Sequence, residues 1–100
     1  MSTNEKNRFS TLLEELISIS GVKNSGLAKA LQYDASYISK WVSGRLLPTK
    51  KTKKKILSGL SHEIVSQSTS EGLENLYANY QVSFPEELEN VIYDNLEIEY

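Results

Sequence analysis

Apolar residues recur at helical spacing along almost the whole chain. Phe9, Leu12, Leu13, Leu16 and Ile17 share one face, with Glu14 and Glu15 opposite. This predicts a helix from about Arg8 to Ser20, stopped by Gly21. Leu27, Ala28 and Leu31 predict a short second helix from about Asn24 to Leu31, with Asn24 as its N-cap. Gln32-Tyr33-Asp34 is the turn that follows. Asp34 then caps a third helix over about Ala35 to Val42, with Ile38 and Trp41 inward and Gly44 at its end.

Pro48 suits a loop before a fourth helix, from about Thr49 to Gly59, which presents Ile56, Leu57 and Leu60. Ile64 and Val65 predict a fifth, from about Ser61 to Ser68. Residues 66–72 (SQSTSEG) are small and polar and read as a boundary. Beyond it, Leu73, Leu76, Tyr77 and Tyr80 form one more helical stripe, and Leu88, Val91, Ile92 and Leu96 form another. Pro85 followed by Glu86 and Glu87 is a helix start, because proline suits the first turn and acids suit its positive end. No alternating run long enough for a strand occurs. The expectation is an all-α chain: a five-helix bundle over residues 1–69 and an acidic helical extension over 70–100. The last stripe runs almost to Tyr100, as in a segment of a longer protein.

Charge changes this picture more than composition does. The chain has 100 residues and a net charge of −2. All 11 Lys and Arg lie at or before Lys55, against four acids up to Leu60, a balance of +7; residues 61–100 hold nine acids and no Lys or Arg, a balance of −9. Such asymmetry points the first part toward a polyanion. Cysteine is absent, which excludes a disulfide framework and a Cys-ligated zinc site. No run of apolar residues is long enough for a signal peptide or a membrane span, so a soluble, cytoplasmic chain is expected.

The second and third helices have the layout of a helix-turn-helix, which lays its second helix in the major groove of DNA. Such a helix needs small or polar residues outward, so that its backbone can approach base edges. Ala35, Ser36, Tyr37, Ser39, Lys40 and Ser43 are expected to face out. Lys40 can donate to guanine, Ser36 and Ser39 can donate or accept, Ala35 can touch a thymine methyl, and Tyr37 can bond a base or a phosphate. Ala28 lets the two helices approach at their crossing. Ser43, Arg45 and the run Lys50, Lys51, Lys53, Lys54 and Lys55 can contact phosphates, as can the amide ends of the second and fourth helices.

The same stretch resembles a known family. LAKAL-x-x-D-x-S-x-ISKW-x-x-G-x-x-x-P is similar to the XRE family, the lambda-repressor type of helix-turn-helix. Leu27-Ala28, Ile38-Ser39, Gly44 and Pro48 carry the likeness, over roughly Phe9 to Val65. The resemblance implies a five-helix all-α domain in a bacterial or phage transcriptional regulator. It also implies base reading by Ala35, Ser36, Tyr37, Ser39 and Lys40, and phosphate contact by Asn24 and Ser25. Two residues depart from the pattern. Gln32 stands where the turn usually has Gly, at a strain of about 1 kcal/mol. Gly26 lies inside a helix, at roughly 1 kcal/mol against Ala.

Sequence-specific binding of double-stranded DNA, as a homodimer on paired half-sites, is therefore the leading expectation. Tyr77, Tyr80, Val91, Ile92 and Leu96 are candidates for the dimer interface; the rival account folds them back on the domain. The main alternative is a protein-interaction module on the same scaffold, with 70–100 as the interacting part, or an antitoxin-like repressor combining both roles. The lysine run can also be read as a solvated face. His62, the only histidine, has no neighbouring ligand types, and the serines lack a nucleophile signature. Neither an enzyme nor a metal or cofactor is expected.

Overall fold

The computed structural model describes residues 7–98 and 100. They form six helices: α1 (Arg8–Ser20), α2 (Asn24–Leu31), α3 (Ala35–Ser43), α4 (Lys53–Gln67), α5 (Ser70–Tyr80) and α6 (Pro85–Asn95). The described residues contain no strand, in line with the all-α reading. None of their helices is long and apolar enough to cross a membrane.

Local chemistry sets most of the helix ends. The Asn7 side chain accepts from the Ser10 amide at 2.8 Å, and Gly21 closes α1 in the left-handed region at φ 78°. Asp34 accepts from the Ser36 amide, and Gly44 closes α3 at φ 85°. Gln32 ends α2 at φ 64°, so the strain expected of a non-glycine residue in this turn is present. The turn is held by Tyr33 N–H donating to the Ala28 carbonyl at 2.8 Å and Gln32 N–H donating to that of Lys29 at 3.1 Å.

Three boundaries differ from the sequence reading. Lys23, not Asn24, is the N-cap of α2, and its side chain makes no capping bond. The predicted fourth and fifth helices are one continuous helix, α4. Gly59 does not stop it: a side chain there would collide with Leu31 of α2, so the residue serves helix packing. Ser61 stays helical, donating its hydroxyl to the Leu57 carbonyl at 2.9 Å. The third difference is the start of α4, at Lys53 rather than Thr49. Thr49 to Thr52 instead form a turn, with the two threonine hydroxyls 2.9 Å apart.

One apolar core runs through all six helices. Phe9, Leu13, Leu16, Leu27, Ile38, Trp41, Leu57, Leu60 and Ile64 are essentially inaccessible, and so are Leu76, Leu88, Ile92 and Leu96. Helix α5 packs on α1, and α6 packs on α4. The strip read as a boundary is only a two-residue break, Ser68 and Thr69, where the Thr69 amide donates to the Ser20 carbonyl at 3.0 Å. Gly72 completes that joint, since a Cβ there would overlap the backbone of Ser20. The stripe offered as a dimer interface is thus turned inward: Ile92 and Leu96 are buried, and Tyr77, Tyr80 and Val91 are half-buried. Burial, with Glu15 adding to it, pushes the Tyr80 hydroxyl pKa up.

Helix α6 runs antiparallel to α4. His62, toward the end of α4, pairs with Glu89 near the start of α6 at 3.2 Å. At the other end, the Tyr100 hydroxyl donates to the Pro48 carbonyl at 2.6 Å, just before α4 begins. This orientation keeps the Glu86 and Glu87 turn away from the lysines at the start of α4. A helix of this length spans roughly 22 Å at about 1.5 Å per residue.

Candidate nucleic-acid interface

Helix α3 is amphipathic in the sense a recognition helix requires. Ile38 and Trp41 are buried, and Val42 is partly covered. At about 100° per residue, Ser36, Ser39, Lys40 and Ser43 fall on the opposite side. Ser36, Ser39 and Lys40 are exposed, as is Ala35 at the first helical position. The Ser36 and Ser39 hydroxyls and the Lys40 ammonium are therefore presented together on one solvent-facing surface.

Two of the predicted outward residues have a different setting. Tyr37 lies on the flank of α3 and is 41 % exposed. Its ring meets Tyr33 edge-on at 5.2 Å and lies 6.4 Å from Trp41. Lys40 Nζ stands 5.8 Å from the Tyr37 ring centre, a favourable cation–π distance. Ser43 is half-buried and serves the helix end: its hydroxyl donates to the Lys40 carbonyl at 3.1 Å and accepts from the Arg45 amide at 3.4 Å.

The candidate phosphate contacts lie on α2 and on the segment and helix that follow α3 in the chain. Ser25 is exposed and Asn24 half-buried on the first turn of α2. Arg45, Lys50 and Lys51 are exposed on the segment between α3 and α4, and Lys54 and Lys55 on the first turn of α4. Among the described residues, none of these cations has a carboxylate partner; Glu89 is hydrogen-bonded to His62. Lys50 instead places its ammonium 5.6 Å from the Tyr100 ring centre. Loss of solvent around Tyr100 pushes its hydroxyl pKa up, which keeps it a donor to Pro48.

The helix starts differ in a way that bears on anions. Asn7, Asp34 and Thr69 cap α1, α3 and α5 with side-chain oxygens. The starts of α2, α4 and α6 carry no side-chain cap; α6 opens on Pro85, Glu86 and Glu87, whereas α4 opens on Lys53, Lys54 and Lys55. Cations at a helix N-terminus oppose the helix dipole, and uncapped amides remain open to an anion.

Several supporting residues were not singled out from the sequence. Gln67 on α4 donates to the Gly26 carbonyl at 3.2 Å and to Glu63 at 2.9 Å, tying α4 to α2. A Cβ at Gly26 would meet the end of that Gln67 side chain, which would have to move aside. Tyr33 is the partner that holds Tyr37, and its four-residue spacing from Tyr37 and then Trp41 is the signal that could have found it. Leu46, 39 % exposed beside Arg45, is an apolar residue presented at the edge of the surface. The described residues contain no group of His, Cys, Asp or Glu able to hold a metal ion.

No family model, curated protein or solved structure matches the chain. The function is therefore read from the surface itself.

Proposed function

We propose that this chain binds double-stranded DNA sequence-specifically, as a transcriptional regulator of the lambda-repressor type in the XRE family, with α3 entering the major groove. The reading is carried by one observation. An exposed face of small and polar residues on α3 is followed in the chain by exposed cations with no carboxylate partner among the described residues. The lysines at the start of α4 oppose its dipole at about 0.3–1 kcal/mol each. Phosphates would relieve that opposition and occupy the uncapped amides of α2 and α4.

In this reading Ser36, Ser39 and Lys40 contact base edges, Ala35 meets a thymine methyl, and Tyr37 reads from the flank. Asn24, Ser25, Arg45, Lys50, Lys51 and Lys54 hold phosphates and set the register without reading sequence. The protein acts as a homodimer on half-sites roughly 34 Å apart, one turn of DNA. The inward stripes of α5 and α6 leave that pairing to other surfaces.

Selection from a pool of random duplexes tests this reading. The wild-type chain should enrich a defined site. Lys40→Ala and Tyr37→Ala should change the enriched site, whereas Lys54→Ala should weaken all sites alike. Absence of enrichment, or an unchanged site for the two α3 variants, would refute it.

A second reading, a protein-interaction module, draws on Phe84. This ring is 51 % exposed at the start of α6, beside the exposed Glu86 and Glu87. A partner captured through it should stay bound in high salt and after nuclease treatment; loss on nuclease treatment would favour DNA.

A further inference from the structure

A hollow of about 370 Å³ lies between α3, the segment that follows it and the start of α4. We propose that it is a binding site for a small planar aromatic anion. This goes beyond the DNA-binding reading and does not rest on it.

The volume falls at the low end of the roughly 300–1,000 Å³ usual for ligand pockets, enough for one two-ring molecule. One wall is aromatic: Tyr33, Tyr37 and Trp41. Tyr33 stands edge-on to Tyr37 and its centre is 5.4 Å from that of Trp41. Trp41 is almost inaccessible behind the tyrosines, so Tyr37 and the half-buried Tyr33 offer the ring surface to a flat guest. The apolar lining is completed by Leu46, Leu47, Pro48 and Ile56. Tyr37 and Leu46 are two of the few large apolar side chains left well exposed among the described residues, and both line this hollow. A flat apolar guest would remove both from water, which is favourable by about 25 cal/mol per Å².

The polar features select the charge of the guest. The Thr49 and Thr52 hydroxyls also line the hollow, but they bond each other at 2.9 Å. The lining therefore favours an aromatic guest over a sugar. No Asp or Glu lines it. Lys40 stands over Tyr37 at 5.8 Å, and Lys50 stands over Tyr100, whose hydroxyl is bonded to Pro48 of the lining. Both lysines are exposed and can turn toward a carboxylate at the mouth. An aromatic body with one anionic group matches the apolar walls and the cationic edge together.

The test is a nitrogen–proton correlation NMR titration of the full chain with indole-3-acetate, against its neutral isostere indole-3-acetamide, each to about 5 mM. The expected result is saturable shifts at the Trp41 indole N–H and the amides of Tyr33, Tyr37, Leu46 and Leu47. The acetate should bind at least about five-fold more tightly than the acetamide. Lys40→Gln should reduce that preference. Leu46→Ser and Tyr37→Ala, both at exposed positions, should weaken both probes while the rest of the spectrum keeps its dispersion. Shifts absent at about 5 mM, equal affinity for the two probes, or affinities untouched by Leu46→Ser and Tyr37→Ala would each overturn the proposal.

Discussion

The acidic helices and the basic surface follow local rules to different degrees. Helix α5 has a threonine cap and an acid in its first turn, and α6 has Pro85 at its start with Glu86 and Glu87 behind it. Each of these favours the helix it opens. Leu76, Leu88, Ile92 and Leu96 then fill the core. The basic surface departs from such rules. A left-handed glutamine and an uncapped helix start occur in both regions (Gln32 and Gln81; α2, α4 and α6), but only at α4 do lysines crowd the positive end of a helix. A charge that opposes the dipole of its own helix points to a role other than stability. The acidic pair fills the core, and the basic surface is the one we propose for DNA.

The largest expected effect tests whether α6 is scaffold. Ile92 is fully buried, so Ile92→Ala should lower stability by about 2–5 kcal/mol. Urea denaturation followed by helical circular dichroism should move as one transition. A loss confined to the tail, with α1–α4 melting as before, would make α5 and α6 a separable appendage.

Next comes the tension between charge and stability on the other side. Lys54→Glu replaces an unfavourable charge at the start of α4 with a favourable one. Thermal melting should show stabilisation of roughly 0.5–1 kcal/mol at low salt. The same variant should bind duplex DNA more weakly and with a shallower salt dependence. Destabilisation together with unchanged DNA affinity would remove the electrostatic argument.

A comparable or smaller gain is expected at the turn. Gln32→Gly relieves left-handed strain but adds freedom to the unfolded chain, for a net stabilisation of up to about 1 kcal/mol. Smaller still is Ser10→Ala. The Ser10 hydroxyl is buried with no partner among the described residues, and its removal should be neutral or stabilising by about 0.5 kcal/mol. Chemical denaturation of both variants checks these signs.

These effects divide along the same line as legibility. Gly21, Asp34, Gly44 and Pro85 mark helix ends through chemistry local to a few residues, and the sequence reading located them. The break expected at Gly59 failed because the residue answers to Leu31, far away in the chain. Gly26 looked like a weakness within α2, yet its carbonyl accepts from Gln67, far away in the chain. The stripes of α5 and α6 announced a buried face without saying against what; only packing on α1 and α4 decides that. On α3, spacing alone separated the buried Ile38 and Trp41 from the exposed Ser36, Ser39 and Lys40. The contact of Tyr37 with Tyr33 was legible only in their four-residue spacing, because Tyr33 lies in the turn and not on the helix.

The most direct measurement is a fluorescence-anisotropy titration of the chain against duplex DNA at two salt concentrations, about 50 and 200 mM. If about six phosphates are held by the cations around α3 and α4, affinity should fall on the order of 10³-fold between them. No binding to duplex at the lower salt, or binding indifferent to salt, would contradict the claim that the basic surface exists for DNA.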